Sequence, residues 1–127
     1  MEKLITLFSE TDLKGRITFV NEAFCEVAKF TKEELLGKPH SIIRHPDMPK
    51  ILFHHCWRLI EKGHVFRGVI KNKTKEGTHY WVNATIMPIV NNENEIVRYI
   101  AVRHLIQDEA LASRLFEEQM ISIPRMS

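Results

Sequence analysis

Cysteine is scarce in this chain: Cys25 and Cys56 are the only two in 127 residues. Both stand in apolar, helix-like surroundings and read as buried thiols more than as a disulfide, which favours a reducing compartment. Charge of one sign is also lacking. The net value of +2 is too small to argue for a nucleic-acid partner or an anionic membrane. No apolar run approaches the roughly 18 to 20 residues of a spanning helix. Met1-Glu2-Lys3-Leu4 leads into patterned sequence without the apolar core of a secretory leader. Internal repeats and low-complexity tracts are missing. What remains is ordinary for a soluble globular domain, 44% hydrophobic and 27% charged. The length suits one domain that buries roughly two-thirds of its unfolded surface.

Periodicity divides the chain into short elements. Ile5 to Glu10 and Arg16 to Val20 are β-branched and apolar runs, and Asp12 and Gly15 between them supply turn chemistry for a hairpin. Asn21 stands where an N-cap belongs, and Thr31 with Glu34 forms a capping-box pattern for a second short helix ending at Gly37. Met48 to Lys62 reads as a longer helix closed by Gly63, with Ile51, Leu52, Cys56, Leu59 and Ile60 on one face and Phe53, Trp57 and Ile60 on a second stripe. From Val65 the period becomes two. Strands are expected to Asn72, from His79 to Val90 and from Ile96 to Ile106, joined by turns at Lys75-Glu76-Gly77 and Asn91-Asn92-Glu93-Asn94. Asp108 to Met120 reads as a terminal helix. The fold class expected is α+β with an antiparallel sheet, organised as a domain over 1–107 and a helix or tail over 108–127.

The most telling stretch is Arg44-His45-Pro46-Asp47-Met48-Pro49, which Pro39 and Pro49 bracket. Proline donates no backbone hydrogen bond and holds its predecessor extended, so the loop is stiff. Such a loop can hold Arg44, His45 and Asp47 in fixed directions, as an anionic or hydrogen-bonding ligand requires. The alternative is that the three pair with one another and that Asp47 caps the following helix.

Asn21-Glu22-Ala23-Phe24, Phe30-Thr31-Lys32-Glu33-Glu34-Leu35-Leu36-Gly37-Lys38-Pro39 and Arg98-Tyr99-Ile100-Ala101-Val102-Arg103 resemble a PAS sensor domain. The Arg-His-Pro-Asp-Met-Pro run, with Ile70-Lys71-Asn72 and His79-Tyr80-Trp81-Val82, is similar to the PAS domain of bacterial aerotaxis receptors. The resemblance covers roughly residues 9 to 109. It implies a PAS fold: a five-stranded antiparallel sheet with short helices on one face, enclosing a cofactor cavity. It further implies non-covalently held FAD and output to a chemoreceptor-type module with HAMP and methyl-accepting parts, in the cytoplasm, membrane association coming only through a partner. Arg44, His45 and Asp47 match the family's flavin loop, and Asn21 and Asn72 match polar positions associated with binding. Phe66 departs, since the family often has tryptophan there.

The residues themselves suit a flavin. Gly68 leaves a gap between Phe66 and Ile70 where a flat ring could lie, and Asn72 on the same face offers both donor and acceptor. Ala101 and Arg103 share a face of the last strand, so an inward Arg103 would favour the reduced, more negative ring. Trp57 is assigned to the slot. Trp81 alternates with Asn83 and Thr85 and should face outward under a terminal segment or partner, a homodimer partner included. His54-His55-Cys56 does not make a metal site, because adjacent helical residues diverge. Lys71, Lys73 and Lys75 read as a solvated turn. No residue set performs bond-breaking chemistry, so a sensor is expected rather than an enzyme. Light sensors of the LOV type carry a reactive cysteine where this sequence aligns His40, which argues against adduct photochemistry. Two rivals stay open: a haem-binding gas sensor using His40, His55 or His64, and a cofactor-free interaction module.

Overall fold

The structure, a computed structural model, describes residues 4–123. The start at residues 1–3 and the end of the expected tail lie outside the described residues. Alternating apolar positions build five strands: β1 (Thr6–Thr11), β2 (Ile17–Val20), β3 (Phe66–Lys73), β4 (His79–Val90) and β5 (Ile96–Ile106). They form one sheet in the order β2-β1-β5-β4-β3, every neighbouring pair antiparallel. The expected first hairpin is present. Asp12 Oδ1 accepts from Lys14 N and Arg16 N, both at 2.9 Å, and Gly15 takes the left-handed φ of 81° that closes the turn. Because the strand period is two, Leu7, Ser9, Ala101, Arg103, Val82, Ala84, Ile70 and Asn72 all fall on the buried face.

Helices cover that face. Helix α1 (Glu22–Ala28) is capped by Asn21, and α2 (Lys32–Leu35) carries the full Thr31–Glu34 capping box. A 3₁₀ turn over His40–Ile43, invisible to helical periodicity, leads into the proline loop. Helix α3 (Lys50–Glu61) follows. It begins two residues later than the pattern indicates, and Asp47 does not cap it. Pro49 occupies the N-cap position in an extended conformation (φ −67°, ψ 141°) with no side-chain bond, so Asp47 is left to pair with Lys71 at 3.1 Å. Phe24, Leu35, Leu52, Leu7 and Val82, all fully buried, meet between sheet and helices.

Helix α4 (Glu109–Ser122) packs on the opposite face. Trp81 points outward there, as its alternation requires, and is only 5% exposed because Phe116 lies over it at 5.7 Å. Gln119 donates Nε2–H to Val69 O at 3.0 Å and accepts Val69 N–H at 2.5 Å, imitating a neighbouring strand along the edge strand β3. The gap expected at Gly68 does not exist. A Cβ there would meet the Phe66 ring at 2.7 Å and Gln119 Oε1 at 2.9 Å, so the missing side chain serves packing.

Asn21 is spent on the backbone: Oδ1 accepts from Phe8 N (3.1 Å) and Phe24 N (3.0 Å), and Nδ2 donates to Thr6 O (3.0 Å). Loss of an N-cap costs about 1 kcal/mol, and the strand bonds add a similar amount. Asn21→Ala is therefore expected to lower unfolding stability by about 2 kcal/mol in urea titration; an unchanged midpoint refutes this.

Candidate functional site

A cavity lies between the inner sheet face and the layer of α3 and the 3₁₀ turn. Its volume is about 90 Å³, and it is partly open to solvent. The walls are mostly apolar, with Ile43, Phe53, Trp57, Ile70, Ile86 and Tyr99 among them. Trp57 meets Tyr99 edge-to-face at 5.5 Å, and its ring would lie 3.1 Å from a Cβ on Gly15. The β1–β2 turn can thus approach the tryptophan only as glycine.

Arg103 is the most unusual group on the wall. It is 97% buried by difference from its 3% exposure, and no carboxylate pairs with it among the described residues. Opposite it in the sheet stand Leu7 and Ala84, which offer nothing polar. Its Nη1 donates to Ser9 Oγ at 2.9 Å, its Nη2 meets His40 Nε2 at 2.7 Å, and its Cζ lies 5.5 Å from the Phe24 ring centre. Burial pulls its pKa down to about 10, which leaves it charged at neutral pH. Burial, and then the nearby Arg103 and Arg44 cations, hold His40 well below its ordinary value.

Arg44 reaches the same cavity from the loop. Its guanidinium stacks on Phe53 at 3.8 Å, and its buried Nε–H has no partner. The Arg44 and Asn72 backbones form an isolated bridge that ties the loop to β3. Asn72 is 4% exposed and lines the cavity near Tyr80, whose phenol burial pushes up to about 12. Cys56 also lines it, its thiol driven to about 12 by burial, which keeps it protonated.

The structure therefore brings together Arg44, Trp57, Asn72 and Arg103 from the residues singled out in sequence. Four others stand off the wall. Asn21 caps α1; Phe66 is buried against His55 at 6.2 Å; Asp47 is exposed with Lys71; His45 uses Nδ1 to accept Asp47 N–H at 3.0 Å. His45 and Asp47 thus shape the loop from which Arg44 projects. Sequence reasoning passed over Ser9, Phe53 and Cys56 as wall residues. Inward alternation on β1 marks Ser9, and helical spacing from Trp57 marks Phe53.

Both histidines with lowered pKa, His40 and His45, bind protons more readily unfolded than folded. Stability is then complete above the ordinary value of 6.5 and falls as pH drops below it, by at most about 1.4 kcal/mol per pH unit for each group. Urea titrations between pH 7 and pH 5 should show this fall, reduced in His40→Gln. A flat profile counts against a neutral, half-buried His40.

The family model described as the PAS fold matches residues 17–103. The aerotaxis receptor of Escherichia coli is 44% identical over 108 residues, which cover 85% of this chain and 21% of the receptor. The nitrogen fixation regulatory protein of Klebsiella pneumoniae is 25% identical over 103 residues, covering 81% of this chain and 21% of that protein. This chain thus spans about a fifth of the length of these curated relatives. Among solved structures, the dark state of the blue-light photoreceptor Aureochrome1 LOV superposes with a TM-score of 0.82 at 21% identity, covering 91% of this chain and 85% of that one. With a family model spanning most of its length and the sheet order and cavity described above, this chain belongs to the PAS family.

Proposed function

We propose that this domain binds FAD non-covalently in the cavity and works as a redox sensor for a chemotaxis signalling module. The observation that carries this reading is the buried, carboxylate-free Arg103 guanidinium on the wall of a mostly apolar cavity. Likeness to the aerotaxis receptor supports it, and the choice of FAD over FMN follows the family resemblance of the sequence. An apolar slot with a few placed polar groups is what a flat ring requires. A cavity of about 90 Å³ is smaller than a tricycle, so the half-buried Arg44 and Trp57 on its wall would have to give way as the ring enters.

A bound flavin supplies electron transfer and gains negative charge on reduction. Arg103 would stabilise that charge, and each 1.4 kcal/mol of preference is a factor of about ten in the redox equilibrium. Asn72 would hydrogen-bond the pyrimidine edge, donating and accepting at once. Arg44, with a free Nε–H, would hold a ring carbonyl or a phosphate. His45 and Asp47 would keep the loop in shape for it. Asn72 and Arg103 lie on β3 and β5, so altered bonding there shifts strands of the sheet that α4 covers on its other face. A chemoreceptor-type partner with HAMP and methyl-accepting parts would read that shift in the cytoplasm. No helix among the described residues is long and apolar enough to cross a membrane. The relatives are receptors and regulators, in keeping with sensing rather than catalysis.

Haem is less well served. His40 Nε2 already faces Arg103, while His55 packs on Phe66 and His64 is exposed. A cofactor-free module leaves the open cavity and the unpaired Arg44 Nε–H without a purpose.

Freshly purified protein should show the two-banded flavin spectrum. A Soret band, or no visible absorbance, rejects the reading. Arg44→Ala should lose most of the colour and His45→Ala less of it; full retention by both rejects the site. Loaded protein at 100 times the dissociation constant should gain about 2.7 kcal/mol over stripped protein, seen as a melting shift.

A further inference from the structure

A guanidinium only donates. The 2.7 Å contact from Arg103 Nη2 therefore makes His40 Nε2 an acceptor, so the imidazole carries its single proton on Nδ1 and is uncharged. Ser9 Oγ accepts from Nη1 at 2.9 Å and lies 3.4 Å from the same Nε2, where its hydroxyl can donate. Two segments far apart in sequence thus grip one end of the group. Ser9 comes from β1. His40 opens the 3₁₀ turn, and its own N–H bonds to Gly15 O at 3.0 Å. The Phe24 ring meets the His40 ring edge-to-face at 6.2 Å and closes another side.

The choice of acceptors matters. An aspartate or glutamate would hold Arg103 equally well, yet would cancel its charge toward the cavity. A hydroxyl and a neutral imidazole fix direction and leave the full positive charge in place. The charged groups that act on His40 are Arg103 and Arg44, both cations, and both oppose its protonation. Two of the five guanidinium donors are engaged by the clamp.

We propose that His40, assisted by Ser9, is a positioning residue that aims the Arg103 guanidinium into the cavity and, through Arg103, sets the reduction potential of the ring bound there; this rests on flavin binding as proposed above. Removing the acceptor frees a desolvated cation to swing toward the mouth, and the reduced ring loses its partner.

The test is a double-mutant cycle on flavin-loaded protein, read as midpoint potential. Arg103→Gln and His40→Leu should each disfavour the reduced form by about tenfold. The double variant should be no worse than either single change, since both remove one interaction. His40→Gln, whose amide oxygen can accept from Arg103, should restore most of the shift. A wild-type potential in His40→Leu, or shifts that add in the double variant, overturns the proposal. A second readout needs no flavin. Long-range ¹⁵N–¹H correlation on stripped wild-type protein should find the Nδ1–H tautomer of His40 at pH 7. An Nε2–H tautomer or an imidazolium overturns the clamp. A colourless wild type sinks flavin binding, and the potential with it, while the tautomer still decides whether His40 orients Arg103.

Discussion

A guanidinium buried without a carboxylate is the constraint around which this domain is arranged. Leaving water costs several kcal/mol even after relaxation, and the sheet neighbours Leu7 and Ala84 return none of it. The group is accommodated because β1 and the 3₁₀ turn each bring one neutral acceptor and α1 brings an aromatic face. Arg103 thereby ties together β5, β1 and the helical layer from inside the core. The same arrangement creates a cavity that is apolar in its walls and positive on one side.

The proline loop complements this from the opposite direction. Pro49 stops Asp47 from capping α3, and His45 accepts the Asp47 N–H, so the loop holds itself without calling on the Arg44 side chain. Arg44 is then free to lie on Phe53 and face the cavity. Across the sheet, Asp47 pairs with Lys71, Lys71 lies 5.4 Å from the Trp81 ring, and Trp81 packs on Phe116 of α4. Loop and terminal helix therefore meet on β3 and β4, the loop along the β3 edge and the helix on the outer face.

Much of this was legible in the residues. The five strands, the caps at Asn21 and Thr31, and the outward direction of Trp81 all follow from period, cap chemistry and alternation, which are local properties of the chain. Arg44, Trp57, Asn72 and Arg103 were recognisable as candidate wall residues from loop stiffness, a helical stripe, strand alternation and the family resemblance. Less was legible where packing decides. Gly68 looks like a gap in the pattern, but Phe66 and Gln119 fill it from two directions that no local rule foresees. Asn21 offers the same polar atoms as Asn72, and only the backbone groups of Phe8, Phe24 and Thr6 show that they are used up.

The amino-acid order by itself determined the alternating faces, the stiff loop and the face that Arg103 shares with Ala101, since each depends on residues close together in the chain. The tertiary structure alone decided who meets Arg103. Ser9 and His40 stand 94 and 63 positions away from it. Contacts over such separations come from strand order and from the helical layer closing on the sheet, and a one-dimensional pattern carries no distance between them.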